Sequence, residues 1–172
     1  MKKKLTILII ISLLSACGSE QNSNSSSKQN KISKHTNSYI NPCDVLSESY
    51  IKETFTSSNE INTTERKTTY PICMASFKAA DIEYNINLTL GSTSGADIGL
   101  LEASMSYFIK KKSVTLVSGV GEKAYTRSGM SGQLSTVGNG YLIHVSVFNA
   151  NQYDLKLTKN VANDMLEALA QH

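Results

Sequence analysis

The sequence predicts a single small α+β domain, in which one antiparallel sheet packs against two to three helices and is held by one disulfide. Three observations lead to this prediction. Apolar and polar residues alternate over several segments, as they do in half-buried strands. Short turn sequences between some of these segments favour hairpins. Three other segments carry apolar residues at helical spacing, which indicates amphipathic helices.

The first half of the domain is predicted to contain one helix and one hairpin. Apolar residues recur at near-helical spacing between positions 46 and 55, and Ser47 is a suitable N-cap for a helix there. Residues 73–77 and 82–90 alternate between apolar and polar types, which predicts two strands. The short Ala79-Ala80-Asp81 stretch between them is consistent with an antiparallel hairpin.

A second helix is predicted from Ile98 to Ile109, where apolar residues again follow helical spacing. Ser94 and Asp97 have the spacing of a capping box before this helix. The Lys110-Lys111-Lys112 run lies near its C-terminus, where positive charge suits the helix dipole. We therefore interpret this run as a solvated helix end and not as a ligand site.

The second half of the domain is predicted to hold a short strand at 114–117, a hairpin and a final helix. Gly138-Asn139-Gly140 is a strong hairpin signal between residues 133–137 and 141–148. From about Gln152 an amphipathic pattern predicts a helix that packs on the sheet. Gly119-Val120-Gly121 lacks the third glycine and the following helix of a phosphate-binding loop, so we interpret it as a tight turn.

Residues 1–16 have the three parts of a secretory signal peptide: a lysine run, an apolar stretch and small residues before Cys17. The apolar stretch is about ten residues, half of the roughly 20 that cross a bilayer, so a permanent transmembrane helix is the poorer interpretation. The ending Leu14-Ser15-Ala16-Cys17 resembles the lipobox, in which the cysteine is lipidated and the leader is cut before it. Cys17 is therefore the predicted lipidation site and first mature residue.

Residues 17–40 are predicted to be the acylated cysteine and a disordered tether, because Ser, Asn, Gln and Lys dominate there. The folded domain is assigned to residues 41–172. The expected location is the cell envelope, with a lipid anchor. Gly18 and Ser19 differ from the Gram-negative signal that retains lipoproteins at the inner membrane. We expect the outer membrane, facing the periplasm, in a Gram-negative source and the outer face of the cell membrane otherwise.

The formal charge of +3 arises in the leader. Without its three lysines the chain carries 14 basic and 14 acidic residues. Nucleic-acid binding depends on many contacts between basic side chains and phosphates, so nucleic acid is excluded as a partner. The expected partners are the membrane, through the N-terminal lipid, and a protein or small ligand.

With Cys17 assigned to lipid, Cys43 and Cys73 remain as a pair in an oxidising compartment, which predicts a disulfide. Two alternatives are weaker. The sequence has no Cys-x-x-Cys and no paired histidines to indicate a metal site. A catalytic thiol would need His144 as its partner, and nothing in the sequence brings them together.

The last predicted strand has one fully apolar face, formed by Tyr141, Ile143, Val145 and Val147, which is expected to face the core. His144 then points to the opposite face with Leu142, Ser146 and Phe148. Leu142, His144 and Phe148 form the candidate binding face. This set is partly apolar and is expected to face outward, and binding of a partner would explain why apolar residues lie there. A partly exposed sheet histidine without a function is the alternative interpretation.

Motifs of reaction chemistry are missing from the sequence: it has no Gly-x-Ser-x-Gly, no His-Glu-x-x-His and no Walker-type loop. No catalytic residue, metal ligand or cofactor is therefore predicted, and the chain is not expected to be an enzyme. Three classes stay open: a non-catalytic, sensor-like binding module, an inhibitor or immunity lipoprotein, and a hydrolase. The last would require a deep pocket with a nucleophile beside His144.

Four elements together resemble one family: the Asn41 to Ser47 segment around Pro42-Cys43, the cysteine of Pro71-Ile72-Cys73, the Val117 to Tyr125 turn, and the closing hairpin and helix. This is a family of actinobacterial lipoproteins of unknown function, which share a Pro-Cys-x-Leu-Leu opening and a Gly-x-Gly-[Asp/Glu]-x-Ala-[Tyr/Trp] turn. Its domain is similar to the extracellular sensor domain of a mycobacterial serine/threonine kinase.

The resemblance covers about residues 41 to 170 and implies an antiparallel sheet bent around helices, a cysteine bridge and a ligand-binding or sensing role without catalysis. The chain departs from the family after Cys73, where Met74-Ala75 replaces the usual tryptophan region and the whole sequence has no tryptophan. A ligand held near that tryptophan would not be expected here.

Overall fold

The structure, a computed structural model, describes residues 39–127 and 132–172. Four helices and eight strands make up this part of the chain. The helices are α1 Pro42–Val45, α2 Glu48–Thr54, α3 Ile98–Lys110 and α4 Leu155–Leu169. The strands are β1 Ser58–Arg66, β2 Ile72–Ala79, β3 Ile82–Ser92, β4 Val114–Val117, β5 Lys123–Arg127, β6 Gln133–Gly138, β7 Tyr141–Asn149 and β8 Gln152–Tyr153.

All strand pairs are antiparallel, in the order β1-β2-β3-β7-β6-β5-β4, and β8 pairs with the end of β7. The predicted fold class is thus confirmed: one antiparallel sheet, helices packed against it and one disulfide. The central neighbours are β3 and β7, which come from different halves of the sequence. Their pairing joins the β2-β3 hairpin to the β6-β7 hairpin and so makes a single continuous sheet.

The sheet has two different faces. Odd-numbered residues of β2 and β7 and even-numbered residues of β3 point to one face, where α1, α2 and α4 cover them and form the main core. Ile86, Ile143 and Val145 are fully buried there. Helix α4 presents Val161, Met165 and Leu169 to this core, as its amphipathic pattern predicts. We call the opposite face the open face, because α3 is the only one of the described helices that lies against it.

Two hairpin turns fix the register of the sheet. Ala80 and Asp81 have φ of 49° and 63°, and Asn139 and Gly140 have φ of 52° and 80°. Positive φ at both central residues is typical of the two-residue turns whose twist matches that of a hairpin. Both predicted hairpins are therefore confirmed, and they decide which side chains reach the open face.

The predicted N-cap of α2 is confirmed, whereas the predicted capping box before α3 is wrong. The Ser47 hydroxyl accepts a hydrogen bond from the Tyr50 N–H at 3.2 Å, as expected for the N-cap of α2. The predicted capping box at Ser94 is wrong, because the N-cap of α3 is Asp97, which accepts from the Leu100 N–H at 2.8 Å. The preceding backbone cannot join the helix, since Gly95 has φ of 63°.

Cys43 and Cys73 form a disulfide, with their Cα atoms 5.1 Å apart. This separation lies within the usual range of about 4.4–6.8 Å. The bond joins α1 to β2, and Cys73 is fully buried in the main core. The prediction of this disulfide is confirmed.

The leader, Cys17 and most of the predicted tether lie outside the described residues. Two residues assigned to the tether already contact the domain: Ile40 packs against the main core, and the Tyr39 hydroxyl donates a hydrogen bond to the Glu65 carboxylate. Ordered contacts with the domain thus extend back to at least Tyr39. Among the helices described here, none is both long and apolar enough to cross a membrane.

Candidate functional site

The predicted binding residues Leu142, His144 and Phe148 all lie on the open face of β7, but α3 divides them. Leu142 is only 3% exposed, because Leu101 and Met105 of α3 pack on it. It belongs to a second small core, which leaves only a small part of its side chain exposed. His144 is half-buried near the margin of α3, and Phe148 is half-buried beyond the helix. The three side chains therefore do not form one surface.

His144 is held by close packing. Its Nδ1 lies 2.8 Å from the Ser135 Oγ, and a Cβ atom added to Gly91 would come within 3.0 Å of its Nε2. Burial lowers the pKa of His144, since a charged imidazole would lose hydration that no partner replaces. His144 is thus neutral near pH 7, hydrogen-bonded to one neighbour and packed against another.

This packing predicts how stability depends on pH. The pKa of His144 is lower in the folded chain than in the unfolded chain, so the unfolded state binds more protons as the pH falls through the unfolded value of about 6.5. Stability should therefore decrease between about pH 7.5 and pH 5.5. Thermal unfolding should show a smaller decrease for His144→Gln than for the original chain. Equal slopes over this range would contradict the assignment.

The Ser135–His144 pair brings a hydroxyl and an imidazole together, yet its surroundings do not suit nucleophilic catalysis. Ser135 is 0% exposed, so its hydroxyl cannot reach a substrate in this arrangement. Within residues 39–127 and 132–172, no three His, Cys, Asp or Glu side chains cluster as metal ligands would. The geometry of this part of the chain therefore favours a packing role for the pair.

A cleft of about 390 Å³ lies between α3 and the sheet. Its apolar side chains include Tyr70, Leu100, Met105, Phe108 and Leu142, and His144 and Thr89 lie at its sheet side. The Arg127 guanidinium lies 4.1 Å from the centroid of the Phe108 ring, which helps hold α3 in place. Most of these side chains are thus accounted for by the packing of α3 on the sheet.

A larger depression, of about 600 Å³, lies on the part of the open face that α3 leaves uncovered. We call it the asparagine groove. Its polar side chains belong to Asn62, Thr64, Ser76, Asn85, Asn87 and Asn151, and its larger apolar side chains to Met74 and Phe148. The volume is within the range of about 300–1,000 Å³ that is typical of ligand sites.

Strand register builds this groove. One cross-strand row contains Asn62, Ser76, Asn85 and Phe148, on β1, β2, β3 and β7 respectively. The next row contains Thr64, Met74, Asn87 and Ser146 on the same four strands. With neighbouring strands about 4.8 Å apart, each row is about 14 Å long. Phe148 closes the first row, where its ring lies 6.0 Å from that of Tyr153.

None of the groove asparagines was predicted from the sequence as a binding residue. Asn85 and Asn87 were interpreted only as the solvent-facing half of an alternating strand, and β1, which carries Asn62, was not predicted at all. One local signal was present: asparagine is depleted in strands, and two occur at alternate positions of one strand. That signal alone could not show which residues lie opposite them.

The glycine turn between β4 and β5 has a structural role. Asn163 of α4 donates to the Gly119 carbonyl at 3.0 Å and accepts from the Gly121 N–H at 3.2 Å. Val120, between them, is buried in the main core. No helix follows the turn directly, since β5 begins at Lys123. The segment fastens α4 to the sheet and has no cradle for a phosphate.

Comparison with known proteins finds no match for this chain among protein-family models, curated proteins or solved structures.

Proposed function

We propose that the chain is a lipid-anchored envelope lipoprotein whose domain is a non-catalytic binding module, with the asparagine groove as its binding site. One observation carries this proposal. The uncovered part of the open face is a wide groove that is lined by uncharged polar side chains and by the aromatic ring of Phe148. A solvated sheet face is normally polar, but asparagine is depleted in strands, so its presence at two alternate positions of β3 favours a role beyond contact with water.

The surroundings of the groove support binding without chemistry. Among the described residues, its lining includes no histidine, cysteine or charged side chain. His144, which does lie beside a serine hydroxyl, is hydrogen-bonded to Ser135, and Ser135 is fully buried. A module that holds a ligand but does not transform it fits both observations.

Site-specific photocrosslinking of the full chain in its own envelope tests the binding site. A benzophenone amino acid replaces Phe148 in the groove or, as the control, Asn160, which is exposed on α4 at the other side of the sheet. We expect an adduct of defined mass at position 148 and none at position 160. Absence of an adduct at position 148, or identical adducts at both positions, would contradict the proposal.

Lipid anchoring is tested separately. The lipobox and the polar segment after it predict that Cys17→Ser abolishes fatty-acid attachment and leaves unprocessed precursor. Metabolic labelling with a radioactive fatty acid, followed by immunoprecipitation, measures this directly. Equal labelling of the variant and the original chain would show that Cys17 is not the acceptor.

A second candidate is an inhibitor or immunity lipoprotein that caps another protein at the envelope. It is favoured by α3, which carries three exposed large apolar residues, Ile98, Leu100 and Tyr107, of which Tyr107 is 64% exposed. Exposed aromatic and aliphatic side chains on one helix suit a protein interface. A benzophenone at position 107 should then crosslink to a protein. Absence of an adduct at position 107 would contradict this second candidate.

A further inference from the structure

We propose that the asparagine groove binds a neutral oligosaccharide, lying across β1, β2, β3 and β7. This inference rests on the proposed binding function and names the class of ligand. Three properties of the groove lead to it: free amide groups, absence of charge in the lining, and an aromatic ring at the end of a row.

The first property is the state of the amides. Other asparagines in the domain are used for structure: Asn41 caps α1, Asn139 donates to the Leu166 carbonyl and Asn163 holds the glycine turn. By contrast, in the described part of the chain the side chains of Asn85 and Asn87 make no hydrogen bond to other protein groups. Each amide can donate twice and accept twice, which complements hydroxyl groups that do both.

The second property is the charge of the groove. Within residues 39–127 and 132–172, its lining consists of amide, hydroxyl and apolar side chains, without Lys, Arg, Asp or Glu. Charged side chains lie at one end of the groove, where the Lys78 ammonium and the Glu60 carboxylate pair at 2.8 Å and Glu83 lines the same adjoining depression. A phosphate or carboxylate ligand would call for arginine or lysine in the lining, so a neutral ligand fits better.

The third property is the shape and composition of the rows. Phe148 ends one row and Met74 lies in the other, so each row combines polar groups with an apolar surface. A sugar ring has the same combination, with hydroxyls around its edge and C–H groups on its faces. A row of about 14 Å can hold a few linked rings.

An extended peptide is the main competing ligand. Peptides that bind sheets usually add to an edge strand, where backbone N–H and C=O groups are unpaired. The groove instead crosses β2, β3 and β7, whose backbone groups are already paired on both sides in this region, and it reaches an edge strand only at β1. Across these three strands only side chains are presented to the ligand, which favours a glycan over a peptide.

Titration of the full chain in detergent with chitotetraose and maltotetraose, both neutral, and with tetragalacturonate, an anion, tests the inference. We expect at least one neutral probe to bind and the anion not to bind. Asn85→Asp and Asn87→Asp, which replace an amide donor by a charge, should each weaken binding at least about tenfold. Asn160→Asp on α4 is the matched control and should leave the affinity within about twofold.

Failure of both neutral probes to bind, binding unaffected by Asn85→Asp and Asn87→Asp, or preferential binding of the anion would overturn the inference. A second measurement uses the photocrosslinked adduct at position 148. Release of monosaccharides from it by acid hydrolysis supports a glycan, and its digestion by a protease supports a polypeptide and overturns the glycan assignment. If an adduct forms at position 148 but no saccharide binds, the binding site is supported and the proposed ligand class is contradicted. If no adduct forms, both the binding site and the ligand class are contradicted.

Discussion

Reduction of the Cys43–Cys73 disulfide should lower the melting temperature of this domain by more than about ten degrees. The bond closes a loop of 30 residues and ties α1 to the buried middle of the sheet at β2. On the chain-entropy model, a loop of this length contributes about 3.5 kcal/mol to the free energy of unfolding. At about 2 cal/mol/K of unfolding entropy per residue, that energy corresponds to more than about ten degrees in a domain of this size.

Thermal unfolding by circular dichroism, with and without excess reductant, measures the effect. The matched control is the double variant Cys43→Ala/Cys73→Ala, which retains Cys17 but lacks the bridge. It should melt near the temperature of the reduced chain and respond little to reductant. An unchanged melting curve for the original chain in reductant would contradict a stabilising role for the bond.

Gly121→Ala should also destabilise the domain strongly. Gly121 has φ of 50°, and a Cβ atom there would lie 2.4 Å from the Val137 carbonyl oxygen and 2.6 Å from the Thr136 Oγ1. That carbonyl accepts a hydrogen bond from the Glu122 N–H at 2.8 Å, so the turn cannot move away without losing it. We expect a loss of about 2–4 kcal/mol in the free energy of unfolding, measured by urea titration.

Gly95→Ala is the control for the conformational part of this loss. Gly95 has a similar φ of 63°, but a Cβ atom there would meet nothing within 4 Å. Its replacement should cost only about 1 kcal/mol, the penalty of a left-handed conformation for alanine. The difference between the two variants then measures the close approach of the turn to β6. Equal losses would mean that only backbone conformation matters at Gly121.

Local patterns were sufficient for the elements that contribute most to the core. Strand β3 alternates without a break from Ile82 to Leu90, and the Asn139-Gly140 turn permits one hairpin geometry, so both were predicted correctly. Strand β1 was missed because it is an edge strand made mostly of polar residues, and an edge strand needs few apolar contacts. The N-cap of α3 was misplaced by one turn, because the spacing of Ser94 does not reveal the positive φ at Gly95.

The candidate site could be predicted only in part. Alternation along β7 correctly placed Leu142, His144 and Phe148 on one face. Whether that face is covered depends on where α3 packs, which is a tertiary contact, and this contact buries Leu142 and spares Phe148. The asparagine groove depends on the register of four strands from distant parts of the chain. No single segment of the sequence contains that information.

We propose the uncovered part of the open face as the place where this domain meets its ligand. Asparagine-selective ¹⁵N labelling of the full chain in detergent, followed by addition of solubilised envelope extract, tests it most directly. The side-chain amide signals of Asn85 and Asn87 should shift or broaden, while those of Asn139 and Asn163, which are bonded to the Leu166 and Gly119 carbonyls, should stay unchanged. Perturbation of Asn139 and Asn163 alone, with the groove amides unaffected, would contradict the claim.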